Sequence, residues 1–282
     1  MSMTVSGITR VTGVFGCPVG HSQSPAMHNA AFAQMGLDFV YVPFDVHPDN
    51  LKAAVTGIRA LNMVGVNVTI PHKERVIPFL DWVSDEALQI QSVNTIHLVD
   101  GKLRGYSTDG EGFIRALEAS GKSPSGSKSV ILGAGGSARA AAAALTLHGA
   151  EVAVANRTFS RALELAETLA VRPIALDSDD AREAILNADL LVNCTSVGMY
   201  PKTDDQPIPS EWLHKGLFVF DTIYNPLETR LLAAANSAGC RTANGVKMLV
   251  FQGAISFTIW TGLDPPAEVM EKAVLAGLQT RP

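Results

Sequence analysis

The sequence predicts an α/β protein of two domains, the second a doubly wound parallel sheet, with a last pair of helices returning to the first. Three observations predict it. Short apolar runs alternate with helix-patterned stretches along nearly all of the 282 residues, as strands joined by crossover helices would. The alternation falls into two series, separated by a link rich in Gly, Ser and Pro over 121–127. The second series opens on a glycine turn, Gly133-Ala134-Gly135-Gly136-Ser137-Ala138, between an apolar run and an alanine-rich helical stretch.

In the first series a strand is expected over 11–15, then a helix over 25–35 with Ser24 as N-cap and Pro25 in the tolerated first position. A strand over 39–44, a helix over 49–61 and a strand over 65–69 follow. Residues 93–98 and 103–106 flank Asp100-Gly101, a strong two-residue hairpin signal. A helix over 110–119 leads into the link. The second series predicts strands over 128–132, 151–155, 173–176, 190–194 and 217–221. The helices between them carry Ala and Leu at helical spacing, as at Ala162, Leu165, Ala166 and Leu169. After Asn244-Gly245 come a long apolar helix over 246–261 and a final one over 266–279. Helices that follow a completed sheet must cover something, and the first domain is available.

Composition narrows the classes. A hydrophobic content of 47% with 17% charged residues is ordinary globular composition and argues against extensive disorder. The net charge of −5 gives no support to nucleic-acid binding. The longest late apolar stretch, 248–260, is broken by Gln252 and is too short to span a bilayer. Residues 1–4 show no basic-plus-apolar leader pattern. The three cysteines, Cys17, Cys194 and Cys240, are odd in number and far apart, and the seven histidines are scattered, so neither a disulfide scaffold nor a metal site is expected. A soluble, cytoplasmic protein is expected, with no membrane partner. No pattern fixes the oligomeric state; monomer or homodimer is expected.

The glycine turn has the G-x-G-x-x-A form of a dinucleotide fingerprint, with its strand before and its helix after. Gly133 permits the tight turn, Gly135 lets the backbone approach a pyrophosphate, and Ala138 keeps the helix close to the sheet. Ala134, Gly136 and Ser137 complete the cradle, where helix-start amides face phosphate charge. The next strand ends in Asn156-Arg157-Thr158 rather than in the acid that binds an unmodified ribose. A carboxylate would repel a 2′-phosphate, whereas a guanidinium pairs with it twice. The expected cofactor is therefore NADP. Arg157 is its main reader, Thr158 a hydroxyl donor and Arg161 a second cation, although solvated arginines at a helix start are the bland alternative. The second domain is thus a Rossmann-type dinucleotide domain over 111–243, and the substrate domain takes 1–110 with 244–282. The substrate should bind between the two, facing the strand ends.

Hydride transfer from an alcohol needs a group that takes the hydroxyl proton and groups that fix the reacting carbon. The first domain offers candidates at its strand ends. Ser22 and Ser24 can hold a small carboxylate with two hydroxyls; read blandly they are a turn residue and a helix cap. Asn67-Val68-Thr69-Ile70-Pro71-His72-Lys73 closes the third strand. Lys73 is expected on the first turn of a following helix, where the dipole disfavours a cation and suits a proton acceptor. Its plain alternative is a solvated surface lysine. Asn94 begins the hairpin and Asp109 ends it; either can be a turn or cap residue.

Taken together these motifs resemble the shikimate dehydrogenase family over almost the whole length. The resemblance rests on Gly16-x-Pro18-x-x-His21-Ser22-x-Ser24-Pro25, Asn67-Val68-Thr69-x-Pro71-x-Lys73, Val93-Asn94-Thr95 and Ser107-Thr108-Asp109-Gly110. It continues through the glycine turn, Asn156-Arg157-Thr158, Asn193-x-Thr195-Ser196-x-Gly198-Met199, Asp221-x-x-Tyr224 and Asn244-Gly245-x-x-Met248-Leu249-x-x-Gln252.

The resemblance implies NADP-dependent interconversion of shikimate and 3-dehydroshikimate in aromatic amino acid biosynthesis. Ser22 and Ser24, helped by Tyr224, then look like a carboxylate clamp. Thr69, Asn94, Asp109 and Gln252 look like the hydroxyl-binding set, and Lys73 with Asp109 like the catalytic pair. Gly245 and the 193–196 loop, Thr195 included, resemble the nicotinamide side. In this scheme Asp109 holds Lys73, which takes the proton as hydride leaves carbon 3. Three alternatives stay open: a quinate/shikimate dehydrogenase of the same fold, a non-catalytic NADP-binding sensor, and another two-domain NADP enzyme such as a methylenetetrahydrofolate dehydrogenase. Ser22, Ser24, Thr69 and Arg157 favour shikimate and NADP over quinate and NAD. Intact Lys73 and Asp109 argue against a sensor, and the Ser-x-Ser loop has no place in a folate enzyme.

Overall fold

The computed structural model describes residues 5–279, so the expectation about residues 1–4 falls outside the described residues. The chain forms two compact units. One runs to Thr108 and resumes at Val250; the other is Asp109–Leu249.

The first unit contains β1 (Arg10–Gly16), α1 (Ser24–Gln34), β2 (Phe39–Asp45), α2 (Leu51–Ala60), β3 (Gly65–Val68), β4 (Trp82–Val83), α3 (Asp85–Gln89), β5 (Thr95–Val99) and β6 (Lys102–Tyr106). Its sheet runs β2-β1-β3-β5-β6-β4, with β1 parallel to both neighbours and β5 antiparallel to β3 and β6. The central β3 is buried along its whole length, and Phe15, Val66, Val68, Ile96 and Leu103 fill the core with Leu51, Val55 and Ile58 of α2. Those α2 residues recur at helical spacing, which gives the helix one buried face. Asp100 and Gly101 both take positive φ, 50° and 73°, the type I′ turn that the Asp-Gly pair demands.

Two local expectations are corrected. Ser24 is the first residue of α1 rather than its cap: the preceding Gln23 is helical, and Ser22 Oγ accepts the Ser24 amide at 3.2 Å. The hydroxyl two residues upstream thus does the capping. Lys73 lies in a run of turns over 73–76, followed only by a three-residue 3-10 helix, Ile77–Phe79, and extended Leu80. Proline on both sides, Pro71 and Pro78, breaks the stretch. With no α-helix there, the dipole argument for Lys73 does not apply.

The second unit contains α4 (Asp109–Glu118), β7 (Lys128–Leu132), α5 (Gly136–Leu147), β8 (Glu151–Asn156), α6 (Phe159–Thr168), β9 (Arg172–Ala175), α7 (Asp179–Leu186), β10 (Leu190–Asn193), β11 (Phe218–Asp221), α8 (Arg230–Ser237) and β12 (Arg241–Ala243). All six strands are parallel, in the order β12-β11-β10-β7-β8-β9. Counted from β7, this is the 3-2-1-4-5-6 order of a doubly wound dinucleotide fold, with the direction of winding reversing between β7 and β10. Val130, Leu132, Leu191 and Val219 pack against Ala181, Ile185, Leu231 and Leu232 of the covering helices. Helix α5 starts at Gly136, inside the glycine turn, so the turn and the helix start are one structure.

Helix α9 (Val246–Thr261) carries the chain back, and α10 (Ala267–Gln279) ends it. In the first unit Trp260 Nε1 donates to the Ile96 carbonyl at 3.0 Å, Phe257 stacks on Phe32 at 4.9 Å, and α10 lies along α1. The outer strands are β2 and β4 in the first sheet, β9 and β12 in the second. Among the described residues no helix is long and apolar enough to cross a membrane.

Candidate active site

In the first unit the loops after β1 and β3 lie side by side. The Thr69 amide donates to the Phe15 carbonyl at 2.9 Å and the Cys17 amide to the Ile70 carbonyl at 3.1 Å. Gly16 has no room for a side chain because a Cβ would press on Thr69 Cγ2. This brings Thr69 next to the loop that carries half-buried Ser22 and buried Ser24. The turn holding Lys73 is fixed from below. His72 is buried and donates from Nε2 to the Val46 carbonyl at 2.7 Å, and burial lowers its pKa, keeping the ring neutral. The Lys73 carbonyl accepts the Val93 amide at 2.9 Å, which sets Lys73 beside the segment leading to Asn94.

Asn94 is the centre of a buried polar network. Its Nδ2 donates to Thr108 Oγ1 at 2.8 Å and to Gln252 Oε1 at 3.3 Å, while its Oδ1 accepts the Thr108 amide and the Thr95 hydroxyl. Ser256, one turn beyond Gln252 on α9, bonds the Gln252 carbonyl and lies 2.8 Å from Thr95 Oγ1. Asn67 Nδ2 donates to the Asn94 carbonyl, Thr95 Oγ1 and Ser256 Oγ, and Asn67 Oδ1 accepts the Tyr41 hydroxyl at 2.7 Å. Sequence reasoning singled out Asn94 and Gln252 but missed Asn67, Thr95, Thr108 and Ser256 as their support. One signal was available: Asn67 and Thr95 are polar residues at paired positions of two buried strands, and buried polar groups need partners.

In the second unit the cofactor candidates gather at the C-terminal ends of β7, β8 and β10. Gly133 has φ +105° and donates its amide to the Ala155 carbonyl at 2.9 Å; a Cβ on it would stand 3.2 Å from Thr195 Cγ2. A Cβ on Gly135 would instead project into open space, with no atom within 4 Å. Ala138 is fully buried against the sheet. With Ala134, Gly136 and Ser137 between them, these positions form the narrow, amide-lined cradle that a pyrophosphate fits. Asn156 Nδ2 closes the end of β8 by donating to the Thr158 carbonyl at 2.8 Å, and Arg157, Thr158 and Arg161 are exposed there. The side chain of Thr195 is folded back on Asn193 Oδ1 at 2.7 Å. Gly245 donates to the Ile223 carbonyl, and a Cβ there would collide with the Thr222 carbonyl oxygen. Tyr224 is half-buried in the loop after β11, and Asp109 is buried as the first residue of α4. Among the described residues no group of His, Cys, Asp and Glu is placed to hold a metal ion.

A six-stranded parallel sheet with a glycine cradle at its switch point in one unit, and polar strand-end loops in the other, define the class of two-unit α/β dinucleotide proteins. Comparison with known proteins narrows it. The family descriptions that match are the shikimate dehydrogenase substrate binding domain over 14–96, shikimate / quinate 5-dehydrogenase over 116–206 and the shikimate 5'-dehydrogenase C-terminal domain over 245–275. A shikimate dehydrogenase (NADP(+)) of Methanopyrus kandleri is 49% identical, covering 99% of both chains. A crystal structure of a shikimate dehydrogenase in complex with NADP+ superposes with a TM-score of 0.91 at 44% identity over 98% of each chain. The Thermus thermophilus enzyme, in complex with NADP(H) and shikimate, gives 0.88 at 42% identity, covering 95% of this chain and all of that one. The chain belongs to the shikimate dehydrogenase family.

Proposed function

We propose that the chain is an NADP-dependent shikimate dehydrogenase that interconverts 3-dehydroshikimate and shikimate in aromatic amino acid biosynthesis. The observation that carries the reading is the glycine cradle at the sheet's switch point, followed at the end of the next strand by Asn156-Arg157-Thr158. The cradle suits a pyrophosphate and the exposed guanidinium a 2′-phosphate. Arg161 adds a second cation. Bound NADP supplies the hydride acceptor, or in reduction the donor.

The chain's own residues do the rest. The Ser22 and Ser24 hydroxyls, with the Tyr224 hydroxyl, bind the substrate carboxylate. Thr69, Asn94 and Gln252 fix the ring hydroxyls, with Asn94 and Gln252 held by the network beneath them. Lys73 exchanges the proton of the carbon-3 hydroxyl, accepting it in oxidation and donating it in reduction. Asp109, an acceptor when ionised, takes the hydrogen bond of the adjacent hydroxyl and completes the acid–base pair. Thr195 and Gly245 line the nicotinamide. The enzyme works in the cytoplasm, as a monomer or homodimer, on a small-molecule substrate without nucleic-acid or membrane partners.

Shikimate plus NADP+ should raise absorbance at the reduced-nicotinamide band, and no change would refute the reading. Lys73→Ala should lower kcat by about a hundredfold or more with little change in KM, the pattern of a lost proton carrier. Near-full turnover in that variant would remove Lys73 from the mechanism.

A further inference from the structure

Asp221 ends β11 directly beside Asn193, its partner in the parallel register. It is fully buried, and its two oxygens serve different parts of the unit. Oδ1 accepts from Asn193 Nδ2 at 3.0 Å and from the Ile223 amide at 3.1 Å. Oδ2 accepts from the Thr229 hydroxyl at 2.7 Å, and Thr229 in turn caps α8 through the Leu232 amide. From Asn193 the chain of bonds continues to Thr195, whose amide and hydroxyl both donate to Asn193 Oδ1. From Ile223 it continues to Gly245, whose amide donates to the Ile223 carbonyl. Thr222 closes the frame by donating its hydroxyl to the Asn193 carbonyl at 2.8 Å.

We propose that Asp221 is a positioning residue: through Oδ1 it sets the loops after β10 and β11, which place Thr195 and, by way of the Ile223 carbonyl, Gly245 at the nicotinamide half of the cofactor. The inference rests on the assignment of Thr195 and Gly245 to the nicotinamide made above. Burial raises the Asp221 carboxyl pKa to about 6 against the hydrogen bonds from Thr229, Ile223 and Asn193 that lower it. A carboxylate held in that way costs the fold stability, which points to retention for what it organises.

The two oxygens allow the roles to be separated. Asp221→Ala removes all three bonds. Asp221→Asn keeps an acceptor at Oδ1 and turns its new amide toward the Thr229 hydroxyl, which can reverse and accept. Thr229→Val removes only the bond at Oδ2. Binding of NADP+ and of adenosine 2′,5′-bisphosphate, which carries only the adenosine end, is measured by calorimetry for each folded variant, together with turnover of shikimate. Asp221→Ala should weaken NADP+ binding about tenfold and lower kcat, with bisphosphate binding unchanged. Asp221→Asn should recover NADP+ binding to within about threefold, and Thr229→Val should melt earlier with wild-type kinetics. If Asp221→Ala does not fold, Asn193→Ala, which cuts the link to Thr195 alone, should give the same split between the two ligands. Unchanged NADP+ binding in either folded variant, equal loss of both ligands, or failure of both variants to fold while Thr229→Val folds would overturn the proposal. A wild-type protein that binds NADP+ without turning over shikimate would refute the proposed reaction and leave the binding comparison readable.

Discussion

The buried carboxyl of Asp221 makes a prediction about stability whose sign runs against intuition. Burial raises its folded pKa to about 6, above the ordinary 3.8 expected in the unfolded chain. Below the lower value the group is protonated in both states. Between the two, the unfolded chain has released its proton while the folded one still holds it, so stability falls as pH rises through that window. The interval corresponds to about 3 kcal/mol, all of it lost above pH ~6. Asp221→Asn removes the titration and keeps the acceptor facing Asn193 and Ile223. Its stability relative to wild type should therefore improve by up to about 3 kcal/mol between pH 4 and pH 7. Urea unfolding at several pH values measures this, followed by Trp212, which packs against the core of the second unit. Replacing Trp82 and Trp260, both in the first unit, by Phe isolates that signal. A wild-type-minus-variant difference in unfolding free energy that stays flat across the window, or grows as the pH rises, would refute the reasoning.

Arg157→Ala should raise KM for NADP+ by about ten- to a hundredfold while leaving KM for NAD+ little changed, since it removes a charge-assisted bidentate contact with the 2′-phosphate; steady-state kinetics with both cofactors would show it. Gly245→Ala should destabilise the second unit severely, because the new methyl meets a backbone carbonyl oxygen that cannot move aside; a thermal melt within a degree of wild type would contradict this. Ser256→Ala strips partners from Asn67, Thr95 and the Gln252 carbonyl. It should cost about 1–3 kcal/mol and raise KM for shikimate more than KM for NADP+.

Much of the second unit is legible in the sequence because its strands are continuous apolar runs with polar or glycine breakers at each end. Strand β7 falls on the expected 128–132 and α9 on 246–261. The glycine cradle is equally local: one peptide segment contains the whole motif. Elements without such a signal escaped. Strand β4 is two residues long, and β12 is Arg241-Thr242-Ala243, with no apolar run to mark it. Only the neighbouring prolines Pro71 and Pro78, and no periodicity, distinguish the turn carrying Lys73 from a helix start. The network under Asn94 is invisible for a different reason. Asn67 and Ser256 are 189 residues apart and Thr95 and Ser256 161 apart, so their pairing is a property of the tertiary fold and of no local pattern. Asp221 likewise reads as a strand end until Asn193 is seen beside it.

The four outer strands also bear on how the protein survives at high concentration. An unpaired strand edge is a template on which another chain can crystallise its own backbone. Two of the edges here, β4 and β12, are two and three residues long, too short to recruit a visitor. The other two are longer, and each contains a proline, Pro43 in β2 and Pro173 in β9. Lacking an amide hydrogen, proline interrupts the ladder an intruder would need. Each edge thus offers an incoming strand a short or interrupted ladder without the sheets being rolled into barrels, and the loop-bearing ends of the strands stay open for chemistry.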